Sequence, residues 1–205
     1  MKGKILGVVL VACVLLVGAW WLWGGRGEIT NYPPREGPIV AFGDSLIYGI
    51  GATSGNDLVS RLSAAIGEPI ENMGVSGNTT ALGLARLDAV LEKEPSIVLL
   101  LLGGNDYLQR VPRETTFAQL GTIIERLQEK GAVVVLLGVR GGVLRDSFSD
   151  EFEKLADTYG TAFVPNVLDD ILGKPALMFD QIHPNDAGYA RIAEKVLPVL
   201  EGVIE

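Results

Sequence analysis

The sequence predicts a three-layer α/β/α domain built on a five-stranded parallel sheet, preceded by an N-terminal transmembrane or signal segment. From Pro38 onward, apolar runs of strand length alternate with stretches of helical period, the pattern of a parallel sheet covered on both faces by helices. The last such stretch, 186–200, places Tyr189, Ile192, Ala193, Val196, Leu197 and Leu200 on one face. Ahead of all this, residues 5–23 carry no charge.

In chain order, the uncharged run comes first. It follows Lys2 and Lys4, is rich in Val and Leu, and closes on Trp20-Trp21-Leu22-Trp23, the residue type that favours a membrane-water boundary. A bilayer-crossing helix needs roughly 20 such residues, so 1–23 is read first as an uncleaved anchor. Val17-Gly18-Ala19 offers a second reading, a cleavable export signal. Leu10-Val11-Ala12-Cys13 resembles a lipobox, but the apolar run continues well past Cys13. Each reading exports the domain and predicts a cell-envelope location, with the membrane as a partner through 5–23. Residues 24–37 have no period and several breakers and read as a tether, leaving 38–205 as the domain.

Within the domain, strands are predicted at 39–42, 69–73, 97–102, 133–137 and 161–164. Helices are predicted at 57–66, 79–92, 116–129, 148–159 and 186–200, with Asn78 and Thr79 capping the second of them. No repeat, low-complexity tract or second domain interrupts this order.

Composition narrows the partners. Without Lys2 and Lys4, 15 basic residues face 25 acidic ones, a surface that repels polynucleotides. Cys13 is the sole cysteine, so the domain has no disulfide and no thiol chemistry. One histidine and no cysteine cluster give no metal set, and the chemistry below requires no cofactor. The domain is expected to be a monomer acting on a small-molecule or lipid acyl ester.

The lone histidine, His183, follows Asp180 by three residues in Asp180-Gln181-Ile182-His183-Pro184, and Ser45 stands where the first apolar run ends. A hydroxyl becomes a nucleophile at neutral pH when an imidazole takes its proton and a carboxylate fixes that imidazole's tautomer. Ser45, Asp180 and His183 supply these three groups, and activity is expected to fall on acidification as the base is protonated.

Each candidate follows a predicted strand, and in an open parallel sheet such ends share one rim. Gly43 lets the chain turn off the first strand and expose Ser45, whose N–H becomes one donor for a developing oxyanion. Gly77, in Gly74-Val75-Ser76-Gly77-Asn78, brings a second N–H, and the Asn105 amide a third.

These residues resemble the four blocks of the SGNH (GDSL) hydrolase superfamily: Gly43-Asp44-Ser45-Leu46, Gly77 in its Ser-Gly-Asn-Thr loop, Gly103-Gly104-Asn105-Asp106, and Asp180-x-x-His183. The resemblance runs from about residue 39 to 197. It implies a flavodoxin-like fold, a Ser45-His183-Asp180 triad, and an oxyanion hole from Ser45, Gly77 and Asn105. Ser-Gly-Asn-Thr-Thr-Ala-Leu-Gly-Leu-Ala-Arg-Leu is similar to the acyl-CoA thioesterase I, lysophospholipase L1 and arylesterase branch. The segment Gly138-Val139-Arg140-Gly141-Gly142-Val143 departs from that branch where the acyl pocket should be walled.

Asp44 and Asp106 as an acid-base pair are set below their use in orienting the turns through backbone hydrogen bonds. Gly49-Ile50-Gly51-Ala52-Thr53-Ser54-Gly55 is discounted as a dinucleotide loop, because its third glycine is one place late. Arg140 either lines the mouth or pairs with a surface carboxylate. Leu108, Val111, Pro112, Val143, Leu144 and Phe148 lie near the rim, although Phe148 also begins a helical stripe. The reading is a serine esterase, on lysophospholipids or other acyl esters in an exported setting. Its rivals are an acyltransferase, a glycan O-acetylesterase and, last, a binding module without turnover.

Overall fold

The fold is seen in a computed structural model, which describes residues 28–139 and 147–205. Five parallel strands are found: β1 (Ile39–Gly43), β2 (Ile70–Gly74), β3 (Ile97–Leu101), β4 (Val133–Leu137) and β5 (Ala162–Val164), in the order β2-β1-β3-β4-β5. Val, Ile and Leu fill β3 and β4, and every residue of β1, β3 and β4 is buried. Strands this apolar need cover on both faces. The edge strand β2 is buried at Ile70 and opens to solvent beyond it.

The helices are α1 (Ser45–Tyr48), α2 (Leu58–Ile66), α3 (Thr80–Ala85), α4 (Leu87–Leu91), α5 (Gly104–Leu108), α6 (Arg113–Glu129), α7 (Ser147–Tyr159) and α8 (Asp186–Ile204). A 3-10 turn, Pro175–Leu177, precedes α8. Helices α2 and α8 pack together, while α6 packs against α3 and α7, which gives the outer layers. The register aligns Gly43 with Gly74 on one side and Leu101 on the other, so the three strands end level. The strand order reverses between β1 and β3, and in open sheets of this kind a ligand crevice opens at such a point.

Three departures from expectation have local causes. The predicted helix over 79–92 is two helices, broken at Arg86 (φ −111°, ψ 10°), whose guanidinium turns back to the strand ends. Helix α6 starts at Arg113 because Pro112 takes the position before it, its carbonyl accepting from Thr115 and Thr116 N–H. Apolar periodicity begins only at Phe117, so the first turn leaves no pattern. Helices α1 and α5 are too short for periodicity to register.

The N-terminal transmembrane or signal helix requires correction. Among the described residues no helix is long and apolar enough to cross a membrane. The longest, α8, spans 19 residues and carries Asp186, Arg191, Glu194, Lys195 and Glu201, a polar stripe that faces water. The run 5–23, on which the expectation rested, lies outside the described residues. The membrane partner and the membrane-anchored, extracytoplasmic envelope location rested on that run, and no described helix supplies a span for them. Of the stretch 24–37, residues 28–37 are described and bond along the domain: Thr30 N–H donates to Gly160 O at 2.9 Å and Asn31 Nδ2 to Gln128 O at 2.8 Å.

Candidate active site

The level ends of β1 and β3 carry the first polar groups. Gly43 lies so close to its neighbours that a Cβ there would stand 2.4 Å from Leu101 O and 2.5 Å from Ile47 Cγ1. Without a side chain the chain can fold back at once into α1. Asp44 caps that turn, accepting from Leu46 N–H at 3.0 Å, and Ser45 opens α1 with 8% of its surface exposed.

The partner of Ser45 comes from the other end of the chain. Residues 178–184 form a tight reversal in which Phe179 N–H donates to His183 O at 2.8 Å. Asp180 Oδ1 sits inside it, accepting from Ile182 N–H at 2.8 Å and His183 N–H at 2.7 Å. Its Oδ2 lies 2.8 Å from His183 Nδ1, and His183 Nε2 lies 3.0 Å from Ser45 Oγ. The hydrogen bond from the His183 side chain, ahead of those from Ile182 and His183 N–H, lowers the Asp180 pKa to about 2. An ionised carboxylate can only accept, so Nδ1 carries the proton and Nε2 is left to accept the Ser45 hydroxyl hydrogen.

A clasp holds the two segments together apart from the Ser45-His183 hydrogen bond. Thr53 donates to Asp186 through both N–H and Oγ1, each at 2.7 Å, and Tyr189 Oη donates to Ile50 O at 2.8 Å. Gly51, at φ +90°, passes so near the 178–184 reversal that a Cβ would stand 2.4 Å from Pro184 O. The glycine-rich stretch discounted as a dinucleotide loop is thus a seat for the histidine segment.

Asn105 lies in α5, just beyond β3, and donates through Nδ2 to Asn78 O at 3.0 Å and, at 3.4 Å, to Asp44 Oδ2. Gly77 occupies the exposed loop after β2 at φ +79°. Asp106 is fully buried and accepts from Thr80 N–H at 2.9 Å, with Thr80 Oγ1 at 2.5 Å from its other oxygen. Asp44 and Asp106 each hold a backbone N–H at a turn. Thr79 caps α3 by accepting from Leu82 N–H at 3.3 Å, whereas Asn78 gives its side-chain oxygen to Arg86.

Burial, opposed by the Leu46 hydrogen bond and the nearby His183, pushes Asp44 up to about 7 from its ordinary 3.8. The folded chain therefore keeps this proton where the unfolded chain has released it, and stability falls as pH climbs from about 4 to about 7. In urea unfolding, the stability of the wild type relative to Asp44→Asn is expected to decline across that window and level off above it. A difference that grows with pH would contradict the assignment.

A cleft of about 100 Å3 opens over Ser45 and His183, walled by Leu46, Tyr107, Leu108, Val139, Leu168 and Ile182. Of the apolar candidates named from sequence, Leu108 faces this cleft. Phe148 belongs to the core, making edge-on ring contacts with Tyr107 and Phe117. Val111 and Pro112 do not line the cleft, while Arg140, Val143 and Leu144 lie outside the described residues. Leu168 went unnoticed because it lies between β5 and α8, in a connection with no helical or strand period.

Known proteins carry the same arrangement of chain. Residues 41–191 match the GDSL-like Lipase/Acylhydrolase family. Esterase TesA of Pseudomonas aeruginosa is 31% identical over 178 residues, 81% of this chain and 89% of the relative. An arylesterase of Vibrio mimicus is 32% identical over 170 residues, covering 77% and 85% respectively. A crystal structure of TesA is similar at a TM-score of 0.75 and 31% identity, covering 81% of this chain and 99% of the other. The chain belongs to the GDSL-like lipase/acylhydrolase family, among the SGNH hydrolases related to TesA, arylesterase and lysophospholipase L1, and is a serine-based carboxylic ester hydrolase.

Proposed function

We propose that Ser45 is the nucleophile, His183 the general base and Asp180 its orienting carboxylate, acting on esters with an apolar acyl chain such as lysophospholipids. The observation that carries this reading is the unbroken run of contacts from Asp180 Oδ2 through the imidazole to Ser45 Oγ, at 2.8 and 3.0 Å. Ser45 Oγ attacks the acyl carbonyl while its proton passes to Nε2. The carbonyl oxygen, now anionic, is held by Ser45 N–H, Gly77 N–H and the Asn105 amide. Collapse of the tetrahedral adduct expels the alcohol or thiol, which takes the proton back from the imidazolium. Water then repeats the sequence on the acyl-enzyme.

Asn105 enters this scheme already aimed. Its bond to the Asn78 carbonyl fixes the amide plane, and the long 3.4 Å contact to Asp44 is the one an oxyanion would outbid. Burial raises the Asp44 pKa, which favours its neutral form and weakens its hold on that contact.

Support for an apolar acyl group comes from the surface. Tyr48, Val75, Leu82, Tyr107, Leu108, Phe179 and Ile182 are large, apolar and exposed, and lie on the loops and short helices that follow β1, β2 and β3 or on the 178–184 reversal. An exposed apolar patch around a cleft marks a site for an apolar ligand. The test is a side-by-side assay of p-nitrophenyl acetate, butyrate, octanoate and laurate, a lysophospholipid and an acetylated sugar. kcat/KM is expected to rise by about tenfold or more from acetate to octanoate, since each buried methylene contributes roughly 0.8 kcal/mol. A preference for acetate or for the acetylated sugar would replace this reading with a deacetylase.

A further inference from the structure

We infer that Arg86 is a positioning residue that sets the oxyanion-binding groups, acting on the reaction through the nucleophile turn and the loop of Gly77. The inference rests on the proposed roles of Ser45, Gly77 and Asn105. Arg86 stands at the break between α3 and α4, half-buried, with its guanidinium 4.3 Å from the centre of the Phe42 ring. From there it donates in three directions: Nη2 to Gly43 O at 2.8 Å, Nη1 to Met73 O at 2.9 Å, and Nε to Asn78 Oδ1 at 2.6 Å.

Gly43 lies beside the Ser45 donor, while Met73 and Asn78 bracket the loop of the Gly77 donor. Gly43 is the second residue before Ser45, and its carbonyl also accepts from Val75 N–H at 3.0 Å, linking the nucleophile turn to the loop of Gly77. Met73 is the last residue of β2 but one, just ahead of where that loop begins. Asn78 follows Gly77 directly, and its own carbonyl receives the Asn105 amide at 3.0 Å. One planar cation therefore fixes two of the donor-bearing segments directly and the third through Asn78, by the rigid fork that lysine lacks.

The usual reason for a half-buried arginine is an ion pair, and none of the ion pairs among the described residues involves Arg86. Its hydrogen bonds go to neutral carbonyl oxygens, whose value lies in where they are held. Oxyanion stabilisation depends on donors held in place before charge develops, and a misplaced donor loses much of its effect.

The test compares Arg86→Ala, Arg86→Lys, Asn78→Ala and the double variant Arg86→Ala/Asn78→Ala with the wild type on p-nitrophenyl butyrate. Binding of an alkyl trifluoromethyl ketone, which forms a tetrahedral alkoxide on a serine, is measured alongside. Arg86→Ala is expected to lower kcat by about 100-fold with KM changed by less than about threefold, because the loss is confined to the transition state. The ketone should weaken by a similar factor, methylguanidine should restore part of kcat, and Arg86→Lys should stay impaired. Asn78→Ala should lose about tenfold, with the double variant no worse than Arg86→Ala, as expected of residues acting in one chain of contacts. If Arg86→Ala does not fold, Asn78→Ala and Arg86→Lys decide on the same two readouts. A kcat within about threefold of wild type in the folded variants, or a loss seen only in KM, overturns the inference. Activity persisting in Ser45→Ala would instead overturn the reading on which it rests.

Discussion

Replacing Ser45 with Ala is expected to lower kcat by about 10⁴ to 10⁶-fold, the scale seen when a nucleophile is removed from a serine-histidine-carboxylate site. The remaining rate comes from the oxyanion donors and the cleft, which survive the change. Little else should alter. The Ser45 side chain makes its hydrogen bond to His183 Nε2, and the histidine segment is separately held by Thr53, Tyr189 and the seat at Gly51. The variant should therefore unfold at nearly the wild-type temperature, retain affinity for substrate and take up no fluorophosphonate label. Turnover above about one per cent of wild type would remove Ser45 from the chemistry.

Asp180→Asn is expected to cost about 10³-fold in kcat/KM, by a route that leaves the backbone in place. The Asn carbonyl can take over from Oδ1 and hold Ile182 and His183 N–H. Its NH2 group then faces Nδ1, where the carboxylate had been. Two donors cannot share that contact, so Nδ1 gives up its proton and Nε2 acquires one. The imidazole then points a donor at the Ser45 hydroxyl and is no longer its base. For a buried carboxylate the loss is about 10⁴-fold. The Asp180 side chain is 43% exposed, so water can take part of its place and the loss is smaller. Steady-state kinetics with a circular-dichroism check of folding measures this, and a loss below about tenfold would show that the carboxylate does not set the tautomer.

How much of this was legible in the sequence follows from where the information lies. Strand-length apolar runs such as 97–102 and 133–137 carry their own signal, because a strand buried on both faces must be apolar throughout. With five strands placed, the convergence of Ser45, Asn105 and His183 on one rim follows from sheet topology. Arg86 was invisible for the opposite reason. Leu84, Leu87 and Leu91 continue a helical period across it, while the contacts that break the helix are to Gly43, Met73 and Asn78, which no local pattern connects. Leu168 likewise gains its place from the path between β5 and α8. Phe148 carried two signals at once, near the rim and first in a helical stripe, and its contacts with Phe117 and Tyr107 favour the stripe.

The fastening of the histidine segment has a thermal consequence. The core beneath the sheet is dense aliphatic packing, and Tyr189 belongs to it, yet the part of the mooring between Thr53 and Asp186 lies at the surface, where its bonds compete with solvent. Warming should loosen that mooring while the strands are still intact, so catalysis fades at temperatures where the molecule remains folded. Hardening this enzyme against heat then starts at the surface joint between Thr53 and Asp186, ahead of any further filling of the interior.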